Sequence, residues 1–285
     1  MDRFARMLSG LGRSMALVEV GPSHSPIVPK RAGWNTTVVD YADAGFLREH
    51  YKNENHERIE EVDVVWRSGQ MHEAFQPGRL ASYDVVISSH SLEHMPDAVG
   101  FLQSCEKLIK ANGTVKLALP DKRCCFDFFS GLSTTGDMLS AHHNKDRVHS
   151  KRTSFNEVAY ATKNRGSIGW SISDEATELE LVWPLDFAHA VFQRASSENS
   201  GEYFDFHAWK FTPSSFELII EEIGYLGIVG LRIAEISETI GHEFFVTLRK
   251  SGGQKPEAQE FNKRRLALLR KSMSEVSKQI ANMKL

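Results

Sequence analysis

Ala16-Leu17-Val18-Glu19-Val20-Gly21-Pro22, running on through residues 23–40 (SHSPIVPKRAGWNTTVVD), is the stretch whose reading decides the fold. Residues 15–20 (MALVEV) form an apolar run closed by a glycine, as a buried strand does. Residues 35–40 (NTTVVD) predict a second strand that ends in an acid. Outward from this pair the rhythm continues. Residues 61–66 (EVDVVW), 83–88 (YDVVIS) and 113–119 (GTVKLAL) predict strands three, four and five. Pro96-Asp97 opens a helix in which Val99, Leu102, Cys105, Leu108 and Ile109 recur at helical spacing. Lys107 and Lys110 would occupy its last turns, and Asn112-Gly113 its C-cap. Strands alternating with helices imply a mainly parallel sheet. Residues 121–209 break the rhythm and are rich in histidines and aromatics. It resumes with a helix capped by Thr212, with Pro213 at its first position, and with strands at about 227–236 and 243–249. The expected architecture is α/β: a Rossmann-like, seven-stranded, mostly parallel sheet flanked by helices. It carries a long insertion after strand five and a C-terminal helix. Residues 1–250 would form the main domain, with an insertion or lid at about 121–209, and 251–285 a linker and amphipathic helix.

Composition narrows the function classes. A chain of 285 residues can hold one large α/β domain with a lid. A formal net charge of −3 gives no electrostatic footprint for nucleic acid or an anionic membrane. No apolar run approaches the ~20 residues of a membrane helix. The N-terminal segment has no continuous apolar core and reads as a mature start. Cys105, Cys124 and Cys125 fit reduced thiols in a cytoplasmic protein better than a disulfide framework or a metal motif. Past the linker residues Gly252, Gly253 and Pro256, the positions Leu266, Leu269, Met273, Val276, Ile280 and Met283 are spaced 3, 4, 3, 4, 3. This short heptad stripe predicts either a coiled coil, joining copies or a partner protein through residues 256–285, or a helix packed back on the domain.

Ligands of open α/β sheets bind beyond the carboxyl ends of the strands. Glu19, Gly21 and Pro22 follow strand one there, and the glycine permits a positive φ and a close backbone approach. Asp40 ends strand two, where an acid accepts hydrogen bonds from ribose hydroxyls. Gly69 and Gln70 follow strand three, placed to flank a base, and Ser89, His90 and Glu93 follow strand four. A pyrophosphate cradle would want G-x-G-x-x-G, but the sequence is Gly21-Pro22-Ser23-His24-Ser25-Pro26. S-adenosyl-L-methionine has no phosphate and needs less of that cradle. An acid beside the first glycine suits its ammonium and sulfonium charges.

ALVEVGPSHSPIVPKRAGWNTTVVDYAD (residues 16–43) and YDVVISSHSLEHMPDAVGFLQSCEKLIKANGTVKLALPDKRCCFDFF (residues 83–129) resemble class I S-adenosylmethionine-dependent methyltransferases. SHSLEHMPD, ALPDKR, HAWKFTPSSF and GHEFFVTLRK are similar to bacterial members associated with surface-polysaccharide and glycan biosynthesis. The resemblance covers about residues 15–250. It implies that Glu19, Gly21, Ser89, His90 and Glu93 surround the methionine end, that Asp40 binds the ribose, and that Gly69 and Gln70 border the adenine. Ser23 departs from the family's usual second glycine.

Methyl transfer to oxygen also requires the acceptor's proton to leave, a step for which a placed base contributes about 10²–10⁴-fold. The base is expected in or beside the insertion. Asp121, His142 and His143 are its expected catalytic residues, among candidates that include Asp127, His149, Asp186, His189, Asp205 and His207. Lys122 and Arg123 would suit an anionic group on the acceptor. Trp170, Trp183, Trp209 and Phe211 would either stack on sugar faces or fill the lid. Asp205-x-His207 has the donor types of a divalent-metal site, but no tight ligand motif surrounds it and no metal is expected. The expected acceptor is a sugar or glycan intermediate. The alternatives are a small metabolite, a protein side chain, or a non-catalytic fold that binds partners through its C-terminal helix.

Overall fold

The computed structural model describes residues 3–195 and 205–283. The first two residues of the expected mature start, residues 196–204 of the insertion and the last two of the C-terminal segment lie outside the described residues. Along the chain come α1 (Arg3–Leu8), β1 (Leu17–Val20), β2 (Thr36–Asp40), α2 (Ala44–His50), β3 (Val64–Val65), β4 (Tyr83–Ser89), α3 (Ala98–Leu108) and β5 (Ile109–Pro120). The insertion follows as α4 (Thr135–Asn144), α5 (Lys151–Tyr160), β6 (Thr162–Asn164), β7 (Leu179–Leu181) and α6 (Leu185–Arg194). The chain closes with α7 (Pro213–Tyr225), β8 (Leu231–Ile236), β9 (Glu243–Lys250) and α8 (Ala258–Asn282).

Seven strands form one sheet in the order β3-β2-β1-β4-β5-β9-β8. β1 to β5 run parallel, and β9 lies antiparallel between β5 and β8. The order reverses between β1 and β4, which opens a crevice at the carboxyl end of those two strands. Alternation along β1 sends Val18 and Val20 to the face covered by α3 and α7, where Phe101, Leu102, Phe216 and Phe244 are buried. Leu17 faces the other way, onto Met7, Ile27 and Val28. The insertion packs its own smaller cluster of Val158, Ala159, Ala188, Val191 and Phe206. Cys105, Cys124 and Cys125 are buried free thiols.

Two junctions differ from the sequence expectation. The helix expected to reach Asn112 ends at Leu108, and β5 begins at once with Ile109. The strand register then jumps from Tyr83–Ile109 to Val85–Thr114. Lys110 Nζ donates to Asp84 Oδ1 at 2.7 Å, and the other carboxylate oxygen of Asp84 accepts from the Ala16 amide at 2.8 Å. A Cβ on Gly113 would stand 3.0 Å from the Asp84 carbonyl, so this glycine allows a close strand approach and is no helix cap. The expected capping of α7 does hold: Thr212 and Ser215 form a reciprocal capping box with Pro213 in the first turn.

The C-terminal helix packs on the domain, yet mostly by a face other than the apolar stripe, whose last member Met283 packs against the cluster of Cys124, Phe128 and Trp170. Phe261 stacks on Tyr225 with centroids 3.9 Å apart, and Phe261, Leu268, Ser272, Glu275 and Gln279 are its buried residues. Leu266, Leu269, Met273 and Ile280 remain exposed, Met273 by 74%.

The loop from β1 to β2 has only a single 3₁₀ turn, Lys30–Ala32, and is braced from beneath by Glu19. Its carboxylate accepts from the Ile27 amide at 2.5 Å and the Val28 amide at 3.2 Å. Burial, only partly offset by these two bonds, pushes its pKa from the ordinary 4.5 to about 7.

Two outcomes follow. A carboxyl group whose pKa is raised by folding stabilises the fold fully below its unfolded pKa, and that contribution is lost as pH rises through the folded value. Stability of the wild type relative to Glu19→Gln should therefore fall by about 3 kcal/mol between roughly pH 4.5 and 8, read from denaturant melts. Phe261→Ala should cost about 3 kcal/mol, while Met273→Ala on the exposed stripe should stay within about 0.5 kcal/mol. Equal costs would assign the packing face wrongly.

Candidate active site

The loops at the carboxyl ends of β1, β2 and β4 meet around Gly21. Its φ is +64°, and a Cβ there would lie 2.9 Å from Ser91 Oγ. Only glycine accepts both conditions without strain. Its amide donates to the Val39 carbonyl at 2.8 Å, which fixes the turn against β2. Pro22 leads into a turn closed by the Ser25 amide on the Pro22 carbonyl. Ser23 takes φ +44°, so a serine adopts the left-handed conformation that a second glycine would supply. The Ser23 amide donates to Asp40 Oδ2 at 3.2 Å and the Tyr41 amide to Asp40 Oδ1 at 2.8 Å. Burial raises the pKa of Asp40 against these two bonds.

After β3, Gly69 has φ +77°, and its carbonyl accepts from Trp66 Nε1 at 3.1 Å. Trp66 in turn stacks on Phe101. Gln70 Oε1 accepts from Ser104 Oγ at 3.3 Å and so leans onto α3. The Ser89 carbonyl accepts from Ser91 Oγ at 3.3 Å. Glu19 is two residues from Gly21 but spends its carboxylate on the Ile27 and Val28 amides. Backbone donors in the buried loop thus claim the carboxylate that the sequence reading set beside a cationic ligand.

Beyond β4 the site becomes densely charged. His90, at φ +52°, directs Nε2 to Glu243 Oε2 at 2.8 Å, and Arg3 Nε also reaches Glu243, at 2.7 Å. Glu93 is fully buried, and neither of its carboxylate oxygens has a hydrogen-bond partner. The nearest imidazole nitrogens are His90 Nδ1 at 3.6 Å and His94 Nε2 at 4.0 Å. His94 Nδ1 lies 2.8 Å from Asp205 Oδ1, and His207 Nδ1 lies 2.6 Å from Asp127 Oδ2. The rings of His94 and His207 meet edge to face at 4.6 Å. Burial disfavours the charged form of His94, but the bond to Asp205 and the charge of Glu93 outweigh it, and its pKa rises to about 9. Burial lowers His149 to about 4 and raises Glu157 to about 8. Asp127 is held below the ordinary carboxylate range: burial would raise it, but His207 and Lys210 prevail.

Residues 205–212 close over this cluster. The amides of Ala208 and Trp209 both donate to the Glu93 carbonyl, at 2.7 and 3.2 Å, and Trp209 Nε1 donates to the Met95 carbonyl at 2.6 Å. The Lys122 amide donates to the Phe211 carbonyl at 2.9 Å. The returning chain is thereby laid across the carboxyl ends of β4 and β5.

The expected catalytic trio is placed differently. Asp121 is fully buried and bound by Arg123, whose Nε lies 2.9 Å from Oδ1 and Nη2 2.5 Å from Oδ2, and it also accepts from Thr239. A carboxylate so paired is a structural anchor, and Arg123 is no longer available for an acceptor anion. Lys122 Nζ is likewise spent, on the Phe128 carbonyl and Gln279 Oε1. His142 Nδ1 contacts both oxygens of Asp97 at 3.0 Å, at the N-cap of α3, while His143 is exposed. The structure gathers Glu93, His94, Asp127 and His207 instead. Their traces in the sequence were Glu93-His94 and Asp205-x-His207, which only the fold brings together. Asp186 and His189 lie exposed on α6. Trp170, Trp209 and Phe211 are buried as packing, and Trp183 is exposed. A cavity of about 600 Å³ lined by Arg6, Leu11, Lys116 and Phe245 lies beside α1 and shares none of these site residues.

Residues 19–115 match the family model described as a methyltransferase domain. No curated protein matches the chain. Among solved structures, the chain is similar to the CcbJ methyltransferase from Streptomyces caelestis, with 13% identity, TM-score 0.45, and 87% of this chain and 94% of that one covered. It is similar to a SAM-dependent methyltransferase from Aquifex aeolicus, with 12% identity, TM-score 0.43, and coverages of 86% and 88%. It is also similar to a Rhodobacter sphaeroides protein described as a putative Zn-dependent alcohol dehydrogenase, with 12% identity, TM-score 0.47, and coverages of 88% and 91%. At such identities the likeness is one of fold and bears on no residue. The methyltransferase-domain match begins within β1 and ends within β5, and so takes in Gly21, Asp40, Gly69, Gln70, Ser89, His90 and Glu93.

Proposed function

We propose that the chain is an S-adenosylmethionine-dependent methyltransferase that methylates an oxygen of a sugar or glycan intermediate. The observation that carries this reading is the methyltransferase-domain match laid over the crevice between β1 and β4, with Gly21 at the end of β1, Ser91 facing it from beyond β4, and Asp40 beside it at the end of β2. The residues fit the cofactor. A Cβ would fill the cradle at Gly21, and a buried carboxylate ends β2 where ribose hydroxyls need an acceptor. When bound, S-adenosylmethionine supplies a methyl group already activated on a sulfonium. The chain must then align the acceptor oxygen, exclude water and receive a proton. Segment 205–212 excludes water by covering the carboxyl ends of β4 and β5. Glu93, His94 and His207 form the polar wall that meets the acceptor hydroxyl, in place of Asp121, His142 and His143. A wall of imidazole and carboxylate suits an oxygen acceptor, whose proton must leave as the new C–O bond forms.

Calorimetry with S-adenosylmethionine and its demethylated product should show one site per chain. Asp40→Ala should weaken it at least ~10-fold, the loss of charge-assisted bonds to the ribose. No binding of either ligand would overturn the reading. Transfer of labelled methyl to a panel of sugars, small metabolites and peptides should favour the sugars, and Glu93→Gln should lower turnover about 10²-fold or more without altering cofactor affinity.

A further inference from the structure

Among the described residues, two groups of three donors stand close enough to share an ion: His90 with His242 and Glu243, and Glu93 with His94 and His207. They differ in one respect. The first already holds a cation: Arg3 Nε is 2.7 Å from Glu243 Oε2, and Arg3 Nη2 is 3.2 Å from His90 Nε2 and 3.5 Å from His242 Nε2. In the second, the Glu93 carboxylate is fully buried and neither oxygen accepts a hydrogen bond, with His90 Nδ1 and His94 Nε2 standing off at 3.6 and 4.0 Å. Buried carboxylates are paired or bound to metal, because leaving one bare in a low-dielectric interior is costly.

The two imidazoles of that second group are prepared as ligands. Asp127 Oδ2 shares a hydrogen bond with His207 Nδ1 at 2.6 Å, and Asp205 Oδ1 stands in ion-pair contact with His94 Nδ1 at 2.8 Å. A carboxylate on one ring nitrogen fixes the tautomer and orients the other nitrogen, the arrangement behind metal-bound histidines. His94 Nε2 accordingly faces Glu93, 4.0 Å from Oε1. The donor atoms of all three residues lie within 4.8 Å of one another. Small side-chain movements bring them to the roughly 2.0–2.2 Å that imidazole nitrogen and carboxylate oxygen take on such an ion.

We propose that Glu93, His94 and His207 bind a divalent first-row transition-metal ion, with Asp127 and Asp205 positioning the two imidazoles. Two imidazoles with one carboxylate suit zinc, manganese, iron or cobalt better than magnesium or calcium, which prefer all-oxygen sites. Three protein ligands leave coordination positions open, the condition of a site that receives a substrate oxygen. On the reading of the chain as an O-methyltransferase, those positions take neighbouring hydroxyls of the acceptor, which sets its orientation and eases loss of its proton.

The test uses the full chain after chelator dialysis, with neither cofactor nor acceptor present. Calorimetric titration with Zn²⁺, Mn²⁺ and Co²⁺ should give one strong site for at least one ion, and Co²⁺ should give visible absorption bands of an imidazole-bound ion. Glu93→Gln and His207→Ala should abolish the site, Asp205→Asn should weaken it about 10–100-fold, and His242→Ala should leave it unchanged. Circular dichroism verifies folding, and Asp205→Asn, at an exposed carboxylate, serves if a buried variant does not fold. Absence of binding by all three ions, or binding that survives the Glu93 and His207 substitutions, overturns the proposal. Because cofactor binding is measured separately, a chain that binds metal but no S-adenosylmethionine would refute the proposed function and keep the metal site.

Discussion

Asp127 and His207 stand 80 residues apart in sequence and 2.6 Å apart in space, both buried. Such a pair is worth little as raw stability, because desolvation consumes much of its attraction. Its value is positional. Breaking either half would leave a buried polar group without its hydrogen-bond partner, so the pair fixes where the chain that returns from the insertion lies. With His207 fixed, the Ala208 and Trp209 amides fall on the Glu93 carbonyl, and Phe211 docks beside Lys122. Lys210 follows, bonding the His207 carbonyl and lying 3.7 Å from Asp127 and 3.9 Å from Glu157. The cover over the carboxyl ends of β4 and β5 is thus tied down by charge where a lid of apolar contacts would slide.

Backbone strain gathers at the same edge. Ser23 and His90, both non-glycine, hold φ values of +44° and +52° in the two loops that flank the crevice. Such conformations persist when the surroundings over-determine them. Ser23 is held by its amide on Asp40, and His90 by its amide on the Ala118 carbonyl and by its ring on Glu243. Each strained residue therefore leans on a carboxylate. Glu19 extends the pattern beneath the first loop, where a buried acid replaces the helix that would ordinarily follow β1. That loop is shaped by two acids, Asp40 and Glu19, at least as much as by the glycine turn at Gly21.

Much of the fold was legible because alternation and turn chemistry are local. Residues 15–20, 35–40 and 83–88 carry their strand signal within a few positions, and Thr212-Pro213 announces a helix start in two. The junction of α3 and β5 was not legible in that way. Lys110, Asn112 and Gly113 look like a helix end until Asp84, on another strand, claims Lys110 and stands against Gly113. The grouping of side chains at the candidate site was hidden for the same reason on a larger scale. Adjacent His142 and His143 look like a pair, but neighbours along a helix point to different faces. One meets Asp97 and the other meets solvent. Glu93-His94 and Asp205-x-His207 looked like separate fragments because more than a hundred residues intervene, and only the docking of the returning chain joins them. The positions of Gly21 and Asp40 were easier, since strand ends in a parallel sheet share one edge by construction.

The C-terminal helix shows where hydrophobic periodicity misleads. Its heptad stripe marks the most apolar face, yet the face it buries carries Ser272, Glu275 and Gln279. The partner decides. Glu275 accepts from Ser214 Oγ at 2.6 Å and from the Ser214 amide at 3.3 Å, placing a negative charge against the open N-terminus of α7. Gln279 accepts from Lys122 Nζ and donates to the Phe128 carbonyl. A face that meets unsatisfied backbone and a buried ammonium must be polar, because each such group left bare would cost more than a few exposed leucines gain by burial. Lys122 and Phe128 also bracket Asp127 in sequence. The last helix therefore braces the segment that carries the carboxylate behind His207, and its polar inner face is part of the framework of the site.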